Sequence, residues 1–397
     1  MFLAIILTII TLSVGVECAI VHNYLKNHPQ RAKRRYITLA TLCIAPYTLW
    51  LIAGRIWDMF SPIAEVIGNL LITLLLFNFM WKSLWLIGKL LSQATSRRWP
   101  SVLTLTLSLL LTILAVTGAT TGRTTLRTTH LTLHYPNLPT AADGLRIVQI
   151  GDLHIGLSPS HRALLRKVVH QIYALHPDII IDCGDMVNSR HTELDSLTMN
   201  ILDDISAPLG VYTTTGNHDN GSYILDTLSL PADESHRLLM EKQAAMGWQN
   251  ITDRHVAIPL GGDTIYLSGI DYPASLRKGS HGVKPTEEYT DFFATLPTEA
   301  FNIVISHTPT AWDNILAATS AELTLSGHVH SMQMRLPIGH RDWSPAALFY
   351  ERWSGLYWHN GCALHITDGI GSNPKVRIGV RPQIVEITLR KAENSRF

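Results

Sequence analysis

The chain has 397 residues, 46% of them hydrophobic, and its 32 lysines and arginines nearly balance its 31 aspartates and glutamates. This balance lacks the basic surplus of nucleic-acid-binding proteins, so nucleic acid is not an expected partner. The 4 cysteines are too few for a disulfide framework and form no Cys-x-x-Cys pair. The length suits two domains of ordinary size.

The first part of the chain contains four long apolar stretches. A helix of about 20 mostly apolar residues crosses the hydrocarbon core of a bilayer. Residues 1–119 are therefore predicted to form a transmembrane domain of four helices, and a soluble four-helix domain is the alternative. The first stretch lacks a basic start and a clear small-residue cleavage site, which favours a retained span over a signal peptide. The predicted spans are residues 2–21, 37–54, 66–87 and 102–119.

Charged residues interrupt the spans at few positions. Glu17 lies near the end of the first span and is expected to be interfacial or paired. Lys82 lies near the end of the third span, where its ammonium group can reach the membrane surface beside Trp81 and Trp85.

The loops between the spans differ in charge. The loops after the first and third spans are rich in lysine and arginine, whereas the loop after the second has only Arg55. Under the positive-inside rule the basic loops are cytoplasmic. The chain is therefore predicted to be a multi-pass cell-membrane protein with its C-terminal domain on the periplasmic or extracellular side. Arg123 and Arg127 oppose this assignment but are fewer than the basic residues of the first and third loops.

Residues 120–129 are rich in threonine and arginine and are predicted to form a short linker to a catalytic domain at residues 130–397. Ten fully extended residues reach only about 33–36 Å. The second domain is therefore expected to stay close to the bilayer, which is the first expected partner.

Beyond the linker, strand patterns alternate with helical ones. Residues 145–150 and 178–183 are typical of buried strands, and the apolar residues between them recur at helical spacing. Strand-rich sequence follows residue 327, so the pattern predicts an α/β domain with a β-rich ending. Residues 221–281 contain a helical run near 234–246 and a strand at 263–269, and we expect this segment to form a cap over a cleft.

Five of the strand patterns end directly before a short polar motif. Because ligands gather at the carboxyl ends of strands in α/β sheets, the five motifs are predicted to converge on one cleft. The motifs are Asp152-Leu153-His154, Gly184-Asp185-Met186-Val187-Asn188, Gly216-Asn217-His218-Asp219, Ser306-His307 and Gly327-His328-Val329-His330.

The side chains of these motifs suit a pair of divalent metals. Two metals roughly 3.5–4 Å apart can share a hydroxide nucleophile and neutralise charge on a reacting phosphate. Imidazole suits Zn and Fe, whereas carboxylate and amide oxygens suit harder ions such as Mn. Metal binding lowers the pKa of water from 15.7 to about 7, while a lone general base contributes only about 10²–10⁴-fold. Two divalent metal ions, Mn, Zn or Fe, are therefore the expected cofactors.

With these motifs in this order, residues 131–389 resemble the calcineurin-like metallophosphoesterases, in particular the bacterial membrane-associated branch. The resemblance implies a four-layer α/β sandwich, with two sheets face to face and helices outside. One departure is visible. The branch usually continues with two glycines after the last histidine, whereas Ser331 and Met332 follow here, which leaves the local backbone path open.

Carried over position by position, the resemblance implies seven metal ligands and two catalytic residues. Asp185 would bridge the metals, His218 would stabilise the transition state and protonate the leaving oxygen, and Asp219 would orient His218. The implied ligands are Asp152, His154, Asp185 and His330 for the first metal, and Asp185, Asn217, His307 and His328 for the second.

Ordinary explanations exist for each motif taken alone. An Asp-x-His can cap a helix, and Gly-Asn-His-Asp is often a turn. Their joint occurrence favours the metal centre. Four further residues could reach a substrate or the cleft, although exposed or lightly packed positions are the more common explanation for such side chains; they are His359, His365, Arg377 and Arg381.

Three functions fit the pattern. The favoured one is a membrane-anchored, metal-dependent phosphoesterase that hydrolyses a phosphodiester, pyrophosphate or phosphomonoester. A lipid-linked substrate is favoured because a tethered enzyme meets lipids at high local concentration. The alternatives are a catalytically silent membrane sensor that binds a phosphorylated ligand, and a transporter or scaffold with an accessory phosphoesterase. The pattern makes no prediction about the oligomeric state.

Overall fold

The computed structural model of the chain describes residues 2–53, 62–156, 158–221, 223–224, 230–272, 283–372 and 375–392. Within these residues the chain forms two compact units, one up to Thr117 and the other from Gly118 onwards. Arg55 and parts of the predicted cap lie outside the described residues.

The first unit consists of four helices that are long and apolar enough to cross a membrane. This confirms the predicted class of the N-terminal domain. The second helix begins before the predicted start of its span, and the third helix ends after the predicted end of its span. In both cases the helix continues through polar residues that flank the apolar stretch. The helices are α1 (Phe2–Tyr24), α2 (Gln30–Ala53), α3 (Pro62–Thr95) and α4 (Trp99–Thr117).

Glu17 of α1 is paired inside this unit. Its Oε1 accepts hydrogen bonds from Lys82 Nζ at 2.5 Å and from Asn78 Nδ2 at 3.2 Å, both on α3. The Tyr36 hydroxyl of α2 donates to Oε2 at 2.5 Å. Three helices thus meet at one carboxylate, which satisfies the charge in apolar surroundings.

The second unit contains two six-stranded sheets. In the first sheet the order is β1-β14-β2-β3-β4-β5, and β14 runs antiparallel to β2 while all other neighbours are parallel. Its strands are β1 (Arg127–Tyr135), β2 (Arg146–Ile150), β3 (Ile179–Asp182), β4 (Val211–Thr213), β5 (Trp248–Asn250) and β14 (Gln383–Lys391).

The second sheet has the order β12-β13-β9-β8-β7-β6, with parallel pairs at its centre and antiparallel pairs at its two edges. Its strands are β6 (Arg254–Leu260), β7 (Asp263–Ile270), β8 (Phe301–Ser306), β9 (Leu323–Ser326), β12 (Gly355–His359) and β13 (Cys362–Ile366). A separate hairpin of β10 (Leu336–Ile338) and β11 (Arg341–Trp343) lies between β9 and β12 in sequence and was not predicted.

The core lies between the sheets and continues under helices on both sides. Ile147 of β2 packs against the second sheet, while the next residue, Val148, faces the helices, as the alternation of a strand requires. The resulting helix–sheet–sheet–helix order confirms the predicted four-layer sandwich. The outer helices are α5 (Pro159–Leu175), α6 (Ser196–Leu202) and α7 (Ala232–Ala245) on the first sheet, and α8 (Thr286–Phe293) and α9 (Trp312–Ala318) on the second.

Two features differ from the sequence expectations. Residues 232–270 of the segment expected to be a cap belong to the sandwich, because α7 packs on the first sheet, β5 pairs with β4, and β6 pairs with β7. The expectation of a cap is therefore wrong for these residues. In addition, β1 begins at Arg127, inside the stretch predicted as a linker, because it pairs with the distant strand β14.

Candidate metal centre

The structure brings all seven residues that were predicted to bind metal to the same edge of the two sheets. Asp152, Asp185 and Asn217 follow the ends of β2, β3 and β4 in the first sheet, and His307 and His328 follow β8 and β9 in the second. The loops are joined by backbone hydrogen bonds, including Asp152 N–H to Gly184 O at 2.8 Å and His154 N–H to Asp185 O at 3.0 Å.

A first cluster is formed by Asp152, His154, Asp185 and His330, whose ligand atoms all lie within 4.8 Å of one another. His330 Nε2 lies 2.9 Å from Asp152 Oδ1 and 3.3 Å from His154 Nε2. His154 Nε2 is 3.7 Å from Asp185 Oδ2. All four residues are buried. Two carboxylates and two imidazoles thus point at one small, buried volume.

A second cluster shares Asp185 with the first. It contains Asp185, His307 and His328, again with ligand atoms within 4.8 Å of one another. His307 Nε2 is 3.2 Å from Asp185 Oδ2 and 3.0 Å from Asn217 Oδ1. His328 Nδ1 is 2.8 Å from the same amide oxygen. Asp185 therefore occupies the position that a carboxylate between two metals would need.

The hydrogen bonding of His307 shows that a cation fits the second cluster. Its Nδ1–H donates to the backbone carbonyl of Cys183 at 2.8 Å, and a carbonyl can only accept. In the neutral ring Nε2 then carries a lone pair, which faces the acceptor oxygens of Asp185 and Asn217. With this ring neutral, three acceptors converge, and they are stabilised either by a proton on His307 Nε2 or by a bound cation in its place. The donor set of imidazole, carboxylate and amide oxygen suits a first-row divalent metal.

The electrostatics of both clusters also favour positive charge. Burial opposes a charged imidazole, yet the Asp185 carboxylate raises the pKa of His307 to about 10. Burial would likewise raise the pKa of Asp152, but the neighbouring His330 lowers it to about 2. Burial would also raise the pKa of Asp185, but the neighbouring His307 and His218 hold it well below its ordinary value. Two buried carboxylates therefore stay ionised and require cations nearby.

The backbone is strained at these positions. A left-handed conformation costs a non-glycine residue roughly 1–2 kcal/mol, and such strain concentrates at functional sites. Five of the seven predicted ligands adopt it, namely Asp152 (φ 51°), His154 (φ 41°), Asp185 (φ 57°), His328 (φ 72°) and His330 (φ 49°).

The backbone path after His330 is now visible. Ser331 and Met332 have φ values of 52° and 43°, so they adopt the conformation that glycines would favour without being glycines. Side chains hold this turn, since Ser331 Oγ donates to Asp368 Oδ1 at 2.6 Å and Ser344 Oγ donates to Ser331 O at 2.6 Å. Arg335 donates to the same Asp368 oxygen at 2.8 Å. The turn therefore keeps a glycine-like path despite the departure in sequence.

Gly216 is required by close packing. A Cβ atom at this position would lie 2.1 Å from Asp185 Oδ1 and 2.4 Å from Asp185 N. The β4 loop can approach the shared carboxylate only because Gly216 has no side chain.

His218 lies beside the first cluster without belonging to it. Its backbone N–H donates to Asp185 Oδ1 at 2.8 Å, and its Nδ1 lies 2.5 Å from the carbonyl oxygen of Asn188. The ring meets that of His154 edge-on, with 4.8 Å between centroids, and stacks on Tyr223 at 4.0 Å. With Nδ1–H donated to Asn188, Nε2 is the atom that can exchange a proton with a ligand.

Asp219 does not take the position that was expected for it. Its carboxylate accepts hydrogen bonds from the backbone N–H groups of Asp185 at 2.8 Å, Gly216 at 2.9 Å and Val187 at 3.2 Å. The group that contacts His218 Nδ1 is the Asn188 carbonyl instead. The expectation that Asp219 orients His218 is therefore corrected. Asp219 is a positioning residue for the turn that carries Asp185.

The four additional candidates lie elsewhere. Arg377 is buried and donates to the backbone oxygens of Asp368 at 2.8 Å and Gly371 at 3.1 Å, so its guanidinium group is used inside the fold. His365 is buried next to Gln149, with 2.6 Å between Nδ1 and Oε1. The remaining two, His359 and Arg381, are exposed. None of the four belongs to the two clusters formed by the described residues.

Three tyrosines near the clusters were missed. Tyr223 accepts a hydrogen bond from Asn217 Nδ2 at 3.0 Å, and the Tyr350 hydroxyl lies 3.4 Å from His328 Nε2. The Tyr272 ring lies 5.9 Å from that of His328. No motif or periodicity distinguishes these tyrosines from others in the sequence, so only the folded structure reveals them.

The α/β sandwich and the two clusters that share Asp185 fit the class of metal-dependent hydrolases that act on phosphate esters. The model of the calcineurin-like phosphoesterase family matches residues 145–332 of the chain. This match and the metallophosphoesterase relatives described below support assignment of the catalytic unit to that family. The matched residues include both clusters. The family uses divalent metals, and the Asp and His residues described above could hold them.

Relatives of the chain include membrane proteins. It is 28% identical over 263 residues to a transmembrane protein with a metallophosphoesterase domain from Danio rerio, covering 64% of this chain and 55% of that protein. It is also 28% identical over 228 residues to the UDP-2,3-diacylglucosamine pyrophosphatase LpxG of Chlamydia trachomatis, covering 49% of this chain and 66% of that protein. The matched region thus spans between about half and two thirds of these relatives.

A solved structure of a dimetal phosphatase from Danio rerio is also similar. It shares 14% identity with a TM-score of 0.35, and the match covers 57% of this chain and 88% of that chain.

Proposed function

We propose that the chain is a membrane-anchored phosphoesterase that uses two divalent metals to hydrolyse a lipid-linked phosphodiester or pyrophosphate. The observation that carries the proposal is the position of Asp185, whose carboxylate belongs to both ligand clusters. Asp185 Oδ2 lies 3.7 Å from His154 Nε2 of the first cluster and 3.2 Å from His307 Nε2 of the second.

The proposed ligand sets are Asp152, His154, Asp185 and His330 for one metal, and Asp185, Asn217, His307 and His328 for the other. When bound, such a pair supplies an activated hydroxide and neutralises the charge of the phosphate. Hydrogen bonding within the chain prepares these side chains to bind metal. The Cys183 carbonyl fixes the tautomer of His307, which presents the lone pair of Nε2 to the site.

His218 is proposed as the proton donor to the leaving oxygen. Its backbone bond to Asp185 keeps it beside the shared carboxylate, and the Asn188 carbonyl fixes Nδ1 as the donor atom of the ring. In the protonated ring Nε2–H is then available for transfer. General acid catalysis of this kind typically contributes about 10²–10⁴-fold.

Two arguments support a lipid-linked substrate. Four helices that can cross a membrane precede the catalytic unit, and a short connection limits how far that unit can move from the bilayer. The name of the relative LpxG specifies a pyrophosphatase that acts on a diacylated sugar nucleotide. The basic loops after α1 and α3 support a location of the catalytic unit outside the cytoplasm.

The first test uses the full chain purified in detergent with bis(p-nitrophenyl) phosphate and added Mn²⁺. The wild type should hydrolyse this diester, and chelation should abolish the activity. His218→Asn should lower kcat by about 10²-fold or more while metal content stays unchanged. Asp185→Asn should lose both metal and activity, whereas His170→Asn, at an exposed position on α5, should alter neither.

Two outcomes would contradict the proposal. A wild-type protein that binds Mn²⁺ but turns over neither this diester nor an aryl phosphomonoester would be a silent binder. Loss of metal in His218→Asn would show that His218 is a ligand.

A second test concerns the side of the membrane. Alkaline phosphatase fused after residue 392 should be active, since it requires a location outside the cytoplasm. Fluorescence from a fused reporter that matures only in the cytoplasm would overturn this assignment.

A further inference from the structure

An exposed apolar surface follows the last metal-binding motif. The chain between His330 and β12 forms the hairpin β10–β11 and a short 3₁₀ turn at Pro345–Leu348. Five large apolar side chains in this segment are exposed. This surface, the apolar rim, consists of Met332 (47% exposed), Ile338 (60%), Trp343 (37%), Leu348 (71%) and Phe349 (72%).

The rim is more than scattered surface residues. Single exposed apolar side chains are normal, but groups of them mark interaction sites. In the hairpin, Leu336 pairs with Trp343 and Ile338 pairs with Arg341. Because alternate residues of a strand share a face, Leu336, Ile338 and Trp343 lie on the same side of the hairpin. Leu348 and Phe349 follow shortly afterwards and are the most exposed members.

The rim is attached to the metal-binding loop. Ser344, directly after β11, donates from Oγ to the backbone oxygen of Ser331 at 2.6 Å. Arg335, directly before β10, is bound to Asp368 at 2.8 Å. Beyond the rim, the Tyr350 hydroxyl reaches to 3.4 Å from His328 Nε2. A partner that binds the rim therefore lies close to the candidate metal centre.

The charges around the rim indicate the kind of partner. His340 lies in the hairpin turn and Arg341 begins β11, and both are exposed. The nearby Asp342 and Glu351 lie 3.9 Å and 3.6 Å from Arg335 and Arg352, which also contact Asp368 and Asp313. His340 and Arg341 are therefore the basic groups that the hairpin offers to a partner. Aliphatic side chains beside a tryptophan and basic groups are typical of surfaces that enter the interface of a bilayer with anionic lipids.

We propose that the apolar rim docks on the surface of a lipid bilayer. Docking would insert Ile338, Leu348 and Phe349 among the lipids and place Arg341 at the head groups. The candidate metal centre at His328 would then face the level where phosphate groups of lipids lie. The substrate that this position implies is an amphiphilic phosphoester drawn directly from the bilayer. This statement about the substrate rests on the proposed function, whereas the docking does not.

The docking itself is tested without any turnover. The full chain is reconstituted in vesicles of phosphatidylcholine and phosphatidylglycerol that contain a phosphatidylcholine with a diazirine in its acyl chain. After illumination, peptides with lipid adducts are identified by mass spectrometry. We expect adducts on residues 332–349 in addition to the apolar helices, and at least fivefold less labelling at Tyr173 and Leu197, which are equally exposed in the same unit (75% and 59%).

Variants sharpen this test. Leu348→Ser combined with Phe349→Ser should lower labelling of the remaining rim peptides at least fivefold, with labelling of α1–α4 as the internal standard. The matched control, Tyr173→Ser combined with Leu197→Ser, should leave rim labelling unchanged. Arg341→Gln should lower it in vesicles with phosphatidylglycerol and have no effect in pure phosphatidylcholine.

Rim labelling no higher than that of Tyr173 and Leu197 in the wild type would overturn the inference. A photoreactive benzoylphenylalanine incorporated at position 349 tests for a second copy. Protein–protein cross-links from this residue in place of lipid adducts would also overturn the inference, and would assign the rim to a second copy of the chain. Because labelling requires no catalysis, failure of the proposed function in the diester assay would be a separate result.

Discussion

The carboxylate of Asp219 accepts a hydrogen bond from the backbone N–H of Asp185 at 2.8 Å. The same carboxylate accepts the N–H groups of Gly216 at 2.9 Å and Val187 at 3.2 Å. Asp185 has a left-handed backbone, with φ at 57°. These hydrogen bonds from Asp219 hold the strained backbone of Asp185 in place. In this orientation the Asp185 side chain faces both clusters.

Asp219→Asn should weaken this support. An amide replaces one oxygen by an NH₂ group, so at least one buried N–H loses its acceptor at a cost of about 1–3 kcal/mol. We expect a lower melting temperature and weaker metal binding, and excess Mn²⁺ should restore part of the activity. Thermal unfolding and Mn²⁺ titration of kcat are the measurements. Asp143→Asn, at a half-exposed position, is the control. Unchanged Mn²⁺ affinity in Asp219→Asn would argue against the positioning role.

Tyr223 should support His218 through its ring and Asn217 through its hydroxyl. Tyr223→Phe keeps the stacked ring and removes the oxygen that accepts from Asn217, so the main effect should be weaker binding of one metal. Tyr223→Ala also removes the stacking at 4.0 Å and should lower kcat at saturating Mn²⁺ by about tenfold, or about 1.4 kcal/mol. Steady-state kinetics at several Mn²⁺ concentrations separate the two effects. Equal kcat values for the two variants would contradict a role of the ring.

The stability of the metal-free protein should depend on pH through His307. Its pKa is raised from 6.5 to about 10 because the Asp185 carboxylate outweighs the effect of burial. A raised pKa in the folded state stabilises the fold below the unfolded pKa, and this contribution is lost as the pH rises through the folded pKa. We therefore expect the melting temperature of the chelated protein to fall between pH 7 and pH 10.

Metal binding should remove this dependence, because the cation takes the place of the proton on His307. Melting curves with and without Mn²⁺ at several pH values test the expectation. His307→Gln is the control and should flatten the curve of the metal-free protein. An equally steep decline in that variant would assign the pH dependence to other groups.

In the membrane unit, Lys82→Met alone should reduce stability more than the removal of both charges of the Glu17–Lys82 pair. It leaves Glu17 without its cationic partner, although Tyr36 and Asn78 still donate to it. Breaking a buried pair is costly, whereas replacing both partners by neutral groups is often tolerated. Glu17→Gln combined with Lys82→Met should therefore recover part of the stability that Lys82→Met loses. Thermal unfolding in one detergent measures this, and a double variant less stable than Lys82→Met would contradict the pairing.

The sequence by itself determined the elements whose signals are local. The four apolar helices follow from the length of their apolar stretches, since the thickness of the bilayer sets that length. Strands such as β3 and β8 follow from runs of aliphatic and β-branched residues. The positions of Asp152, Asp185 and His307 directly after predicted strands indicate that they lie at one edge of the sheets, because parallel strands have their carboxyl ends on the same side.

Only the tertiary structure decided features that depend on distant partners. Asp219 contacts three backbone N–H groups instead of His218, and Arg377 is used inside the fold. The turn at Ser331 keeps a glycine-like path because Asp368 holds it. The pairing of β1 with β14 joins residues from opposite ends of the catalytic unit. Hydrogen bonds and packing between residues so far apart leave no periodic trace along the chain, so they become visible only when the chain is folded.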